Sequence, residues 1–548
     1  MRPSTLTLIA SVLLVCPRLN ADVLDIGTKK QLFIDEALIQ NSHGVKLVTN
    51  SPEKRGQVLA GEMPWENGVL FGPATSILED GGKFRMWYTA TAAVRRMVNE
   101  GQSTLWTMNE SGVSRLCYAE STDGRHWTKP NLGINEWEGS KANNIVLENV
   151  PNIAAGVFID PKAPPEQRYK LLGTLHAKAD VFPYGNAPDG HGMYVYTSPD
   201  GLHWTLYPHC LMPFSADTFN TGYYDAEKDR YLIYLRTHGA GGRRVGVIAT
   251  DDVMKPWPYD KTVPVPDPAT RRNSSPKSEI KDALGPDQDD PPDVDYYLPA
   301  AVKYPWADSI YFLFPSAYRH FPKPPVGRRI NDGVLDSFIA VSRDGLSFRR
   351  PSRTPYLGLG LRGAKDCYRI YMCVGMLRLG DEILQYYGGF DYTHNASIGK
   401  YIEDQRQLIK GDKERLEGER TDQVDLAALR NRGGVFLASQ RLDGFVSVDA
   451  GPEGGGFDTP QLRFRGSKLL LNLNGSATGE VKVELRNADG QPIEGYTFDD
   501  CDPLYENDTA KVVTWKKGNP DLTSLAGKPV SLGFRMRTAK LYAFQFID

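Results

Sequence analysis

The sequence predicts an all-β protein: a five-bladed β-propeller followed by a C-terminal β-sandwich. Three observations carry that expectation. A strand-turn-aromatic unit recurs along the chain, short alternating strands are divided by Gly, Pro and Asp turns, and amphipathic helical periods are missing between them.

The recurring unit is Ser121-TDGRHW, Ser198-PDGLHW and Ser342-RDGLSF, each preceded by an apolar alternating run. Asp-Gly forms a tight turn because the carboxylate accepts turn amides and glycine tolerates positive φ. Asp123 and Asp200 stand 77 positions apart, and Asp200 and Asp344 stand 144 apart, near twice that interval. A degenerate copy is therefore expected between them, and Arg244-VGVIATDD supplies it, without the aromatic. A further candidate follows at Ile383-LQYYGGFDYTH. Each copy follows two strand-like runs joined by a polar turn, such as Thr221-GYYDAEKDRYLIYLRTH, which gives about five units of about four strands. The Pro- and Asp-rich stretch from Lys255 to Asp295 reads as an inserted surface loop.

Domain boundaries follow. Residues 1–21 read as a signal peptide, with Arg2 ahead of an apolar run from Leu6 to Cys16 and cleavage after Ala21; residues 22–445 as the propeller; residues 446–548 as the sandwich. The sandwich strands include Lys468-LLLNLNG, Glu480-VKVELRN and Lys540-LYAFQF, with Asn487-ADG as a hairpin turn. The expected location is secreted or periplasmic. Five cysteines remain after the leader, an odd number, with Cys367 and Cys373 either bridged or buried as thiols.

Composition narrows the partners. The 548 residues are 41% hydrophobic and 24% charged, enough for real cores. With 64 basic and 67 acidic residues the formal charge is -3, which argues against nucleic acid. Beyond the leader no apolar run has membrane-spanning length. No cofactor motif, His-Glu-x-x-His or oxygen-rich calcium loop is present, so neither cofactor nor metal is expected, although three histidines are a sufficient set for zinc.

In a propeller the start of each blade's first strand and the end of its second emerge at one end of the central channel. First strands begin near Glu66, Asp217, Asp293 and Asp295; second strands end at His176, His238 and His320, with Arg236 and Arg319 beside the last two. Carboxylates meeting there suit glycosidic bond cleavage, in which one acid protonates the leaving oxygen while a second attacks or activates water. Glu66, Asp217 and Asp295 are the catalytic candidates. His176, Arg236, His238, Arg319, His320 and Arg362 are the substrate-binding candidates. Arg95 and Arg96 add to a basic mouth, and arginine grips carboxylate or sulfate in two-pronged geometry, so the expected partner is an acidic or sulfated carbohydrate. The Ser-x-Asp-Gly aspartates Asp123, Asp200 and Asp344 are read as structural, because one centre does not need several copies.

This arrangement resembles the five-bladed propeller glycosidases of glycoside hydrolase families 32, 43 and 68. The resemblance rests on the leader, Phe33-IDE, the three Ser-x-Asp-Gly turns and a sandwich after the propeller. It implies a secreted glycoside hydrolase with an acidic residue at the start of the first blade, where Glu66 or Asp35 stands. It also implies acids farther along. The family-32 Trp-Met-Asn-Asp-Pro-Asn-Gly motif is absent, as is its Glu-Cys pair, and the second blade offers only Asn152 and His176. A non-catalytic carbohydrate-binding or cell-surface scaffold protein is the alternative expectation.

Overall fold

The computed structural model describes residues 23–66, 74–91, 96–100, 103–107, 114–148, 156–175, 187–214, 216, 219–239, 241–262, 276–321, 333–394 and 433–548. Among these residues regular structure is almost entirely extended, broken by single-turn 3-10 helices. Residues 1–21, read above as a signal peptide, and Arg95, Asn152, His176 and Asp217 lie outside the described residues.

The repeating units become antiparallel sheets. The first joins Thr75–Asp80, Lys83–Thr91, Ser114–Ser121 and Ile145–Leu147. The second joins Gly156–Ile159, Tyr169–Leu175, Gly192–Ser198 and Thr205–Leu206; the third, Thr221–Asp225, Arg230–Gly239, Gly242–Thr250 and Lys281–Leu284. The fourth set, Val294–Lys303, Tyr311–His320, Gly333–Ser337 and Ala340–Ser342, meets the fifth through one parallel bridge, Leu335 to Arg369. The fifth runs from Arg369–Met372 through Glu382–Phe390 and Gly433–Arg441 to Glu53–Ala60, a strand from the other end of the chain. Middle strands such as Tyr169–Leu175 are buried at every position, because neighbouring sheets cover both faces.

First strands of successive sheets touch. Val157 N donates to Ser76 Oγ at 3.0 Å, and Thr221 Oγ1 donates to the Pro299 carbonyl at 2.8 Å. Gly156 makes one such approach possible, since a Cβ there would lie 2.0 Å from the Asn220 carbonyl oxygen. At the other end of the series, Ile77 N donates to the Val374 carbonyl at 2.8 Å, and Val374 N to that of Thr75 at 2.9 Å.

The repeated turns explain how one sheet grips the next. In each turn Ser Oγ accepts from the glycine amide (Gly124, Gly201 and Gly345, all 2.9 Å), while the aspartate accepts the next two amides. The glycines have φ of 69°, 78° and 71°. Their carbonyls then accept from an aromatic side chain on another sheet. Tyr386 Oη reaches Gly124 at 2.6 Å, Trp87 Nε1 reaches Gly201 at 2.6 Å, and Tyr234 Oη reaches Gly345 at 2.7 Å. The motif repeats because this intersheet contact repeats.

The C-terminal strands build three further sheets, one of them two-stranded, and the N-terminal segment joins each. Val45–Thr49 pairs with Val446–Ala450, Gln40–His43 with Gly455–Asp458, and Leu24–Gly27 with Leu462–Phe464. Phe33 packs among Phe457, Phe534 and Phe544 in their shared core. The reading of residues 22–445 as one unit did not anticipate this pairing, because partners some four hundred positions apart leave no local pattern. Asp443 ties the two parts together, accepting from Lys30 Nζ at 2.8 Å, Tyr304 Oη at 2.7 Å and Asn472 Nδ2 at 3.2 Å. All five described cysteines are free thiols.

Candidate functional site

Strand register brings one set of predicted residues together. Arg236 and His238 lie two positions apart near the end of Arg230–Gly239, and Arg243 pairs with His238 across the hairpin, so all three share a face. Asp295, at the start of the next sheet's first strand, pairs with Tyr318, and His320 lies two positions beyond Tyr318 on the same face. The strand end thus meets the strand start. His320 Nε2 lies 3.1 Å from Asp295 Oδ2.

Asp295 is the electrostatic centre. It is 4% exposed, and Oδ2 also accepts from Arg243 Nη1 at 3.0 Å and Arg243 N at 3.3 Å. Its second oxygen, Oδ1, is buried with no hydrogen-bond partner, and so is His320 Nδ1. Burial alone would raise the carboxyl, but the His320 hydrogen bond and the Arg243 charge outweigh it and hold Asp295 below the usual carboxylate range. Gly242 packs against this carboxylate: at φ 110° it brings the hairpin so close that a Cβ would sit 2.8 Å from Asp295 Oδ2.

Aromatic rings surround these charges. The Arg236 guanidinium lies 4.3 Å from the Tyr297 ring centre, and that of Arg243 lies 5.3 Å from Tyr297 and 5.5 Å from Tyr318. Tyr318 stands between two imidazoles, with His320 at 3.9 Å and His394 stacked at 4.7 Å. Arg369, fully buried at the start of the fifth first strand, lies 4.3 Å over Phe390 and 4.2 Å over Tyr392 and donates to the His394 carbonyl at 3.1 Å. The backbone is strained here. Leu298, at a β-bulge immediately after Tyr297, has φ 53°, and Phe219, before the third first strand, has φ 46°.

The other predicted residues fall elsewhere or outside the description. Glu66 is fully buried away from Asp295, in a saturated network: Lys129 Nζ at 2.8 Å, Tyr88 Oη at 2.6 Å, and the amides of Glu62 and Met63 at 2.9 and 3.0 Å. Both carboxylate oxygens are bonded by the protein, which is the pattern of an anchor. Asp35 caps a 3-10 turn and pairs with Arg343 at 2.8 Å. Arg319 projects from the opposite face to His320, half-exposed and 3.2 Å from Asp293. Arg362 stands on an exposed turn. Asp217 and His176 are not among the described residues. No metal-binding group of three His, Cys, Asp or Glu side chains occurs among those that are.

Sequence reasoning missed Arg243, Tyr297, Tyr318, Arg369 and His394. His394 had a usable signal, since it follows the second strand of the fifth unit much as His238 and His320 end theirs. Arg243 follows a run of glycines at a hairpin tip, and nothing local says that the tip folds over Asp295.

No protein-family model and no curated protein matches the chain. Among solved structures, one titled a glycoside hydrolase is similar over 71% of this chain and 92% of its own, at 11% identity and TM-score 0.39. An N-acetylgalactosamine deacetylase from F. plautii, in complex with blood group B trisaccharide, is similar over 74% and 97%, at 12% and 0.38. The catalytic domain of a family 62 α-L-arabinofuranosidase from Coprinopsis cinerea is similar over 71% and 98%, at 11% and 0.36.

Proposed function

We propose that the chain is an exported glycoside hydrolase acting on an anionic glycan, acidic or sulfated, at the mouth formed by its third, fourth and fifth sheets. The proposed frame is a five-bladed propeller of residues 53–441, with a β-sandwich of residues 446–548 completed by residues 23–49. Contacts between successive first strands, and the return of Glu53–Ala60 to the fifth sheet, support the propeller. No helix among the described residues is long and apolar enough to cross a membrane.

One observation carries the functional reading. Asp295 is a buried carboxylate with one oxygen held by His320 and Arg243 and the other without a partner, at a place ringed by arginines stacked on tyrosines. The guanidiniums would bind carboxylate or sulfate on the sugar, the tyrosine faces would take the ring, and an ionised carboxylate stands at the centre. Of the three catalytic candidates, Asp295 alone stands at this mouth among the described residues, which favours a second reading, carbohydrate binding without cleavage.

Product release decides between them. Reducing-end release is measured on polysaccharides rich in uronic acid or sulfate and on their desulfated counterparts, with wild type and Asp295→Asn. Hydrolysis of the anionic set, lowered by about 10² or more in the variant at unchanged Tm, supports the proposal. Binding without release supports the second reading, and preference for the desulfated set overturns the anionic assignment.

A further inference from the structure

The hydrogen-bond chemistry of Asp295 and His320 separates their roles. An ionised carboxylate only accepts, so the 3.1 Å contact requires His320 Nε2 to be the donor. That fixes the tautomer: in the neutral ring the lone pair sits on Nδ1, and in the charged ring Nδ1 carries a second proton. Nδ1 is the buried ring atom with no protein partner, while Nε2 is committed to Asp295. The ring plane is set by Tyr318 at 3.9 Å, and Tyr318 is set by stacked His394. The His320 backbone is fixed as well, its amide donating to the Asp293 carbonyl at 2.9 Å. A rigid imidazole with one nitrogen bound to a carboxylate and the other buried without a protein partner is placed to exchange a proton with a group brought against that nitrogen.

We infer that His320, acting through Nδ1, is the general acid of this site, and that Asp295 is its positioning residue. This rests on the glycoside hydrolase reading and replaces a directly acting Asp295 with one that works through the imidazole. In the step, the His320 Nδ1–H bond breaks as an O–H bond forms on the glycosidic oxygen. The anomeric C–O bond pair goes to that oxygen, which leaves as an alcohol. Water forms the new bond at the anomeric carbon and releases its proton to solvent, from which the imidazole is recharged. The charged groups facing His320 divide by sign. Asp295 is the anion in contact with the ring, and the cations are Arg243, which shares Asp295, and Arg236, over Tyr297. Tyr318 and His394 supply stacked rings.

The discriminating experiment uses leaving groups. Full-length wild type, His320→Gln, His320→Asn and Asp295→Asn are compared on an anionic polysaccharide and on an aryl glycoside of the same sugar whose phenol leaves without protonation, each variant checked by Tm. A general acid matters only where the leaving oxygen must be protonated. The histidine variants should lose about 10² to 10⁴ in kcat on the polysaccharide and retain most of their rate on the activated phenyl glycoside. The wild-type polysaccharide rate should fall on the basic limb of its pH profile, and that limb should vanish in the variants that retain turnover. Equal losses on both substrates, or an unaltered pH limb, overturn the assignment of His320 while leaving hydrolysis intact. An unsaturated uronate product would show instead that the imidazole removes a proton from carbon, and so would overturn the general-acid role. A wild type that releases nothing from any anionic glycan overturns the hydrolase reading, and this inference with it.

Discussion

The guanidinium of Arg236 lies 4.3 Å above the ring of Tyr297, joining the end of one sheet's second strand to the start of the next sheet's first. Arg236 is 3% exposed, so its charge is held in a largely desolvated setting where it acts strongly on an anionic ligand. Arg236→Lys keeps the charge and removes the planar stacking group. The expected result is a rise in KM for a sulfated or uronate glycan of about tenfold, or roughly 1.4 kcal/mol, with a smaller change in kcat. Steady-state kinetics at fixed salt check it, and an unchanged KM would remove Arg236 from the binding surface.

Glu66 and Lys129 form an ion pair at 2.8 Å with both side chains nearly removed from water. Deleting one partner leaves the other charge buried alone, which costs about 3 to 5 kcal/mol. Glu66→Ala should therefore lower stability by that order while folded protein keeps its turnover. Urea unfolding beside rates normalised to folded fraction tests both halves. A stable but inactive variant would return Glu66 to the catalytic set.

Gly201 stands at φ 78°, and a Cβ there would lie 2.6 Å from Trp87 Cζ2. Gly201→Val combines backbone strain with overpacking against the next sheet, an expected loss of roughly 3 kcal/mol. Trp87→Phe should cost less, about 1 kcal/mol, since it removes chiefly the hydrogen bond to the Gly201 carbonyl. Thermal unfolding ranks the two, and equal Tm values for Gly201→Val and wild type would contradict the intersheet role of the turn.

Asp336 pairs with Ala317 on the face of the fourth sheet opposite Tyr318, and burial pushes its carboxyl up to about 6, opposed by its own backbone amide. An unfolded aspartate titrates near 3.9, so between about pH 4 and pH 6 the folded state binds more protons than the unfolded. This residue's contribution to stability therefore falls as pH rises through that window and stays low above it. Asp336→Asn removes the fall. Relative to wild type the variant should gain stability above about pH 6, and denaturant midpoints across the window should show a flatter profile. Parallel profiles would mean that Asp336 is solvated.

Particular residues show how far the chain alone could be read. The turns at Asp123, Asp200 and Asp344 were legible because their chemistry is local: serine, aspartate and glycine satisfy amides within three positions. Strand type was legible for the same reason, since alternation and turn residues are short-range signals. Part of the Asp295 cluster was legible too. The expected convergence of strand starts and strand ends named Asp295, Arg236 and His320, which the structure places together.

Tertiary structure decided which buried carboxylate has both oxygens bonded by protein groups and which keeps one without a partner. Glu66 and Asp295 look alike in sequence, each an acid ahead of or at a first strand, yet Glu66 meets Lys129 and Tyr88 while Asp295 meets His320 and keeps one oxygen without a partner. It also decided that Arg243 folds over Asp295, that His394 stacks on Tyr318, and that residues 24–49 complete the C-terminal sheets. These are contacts between distant parts of the chain. Local sequence sets what a strand is, whereas the partner of a buried charge is set by which strands the packed core brings against it.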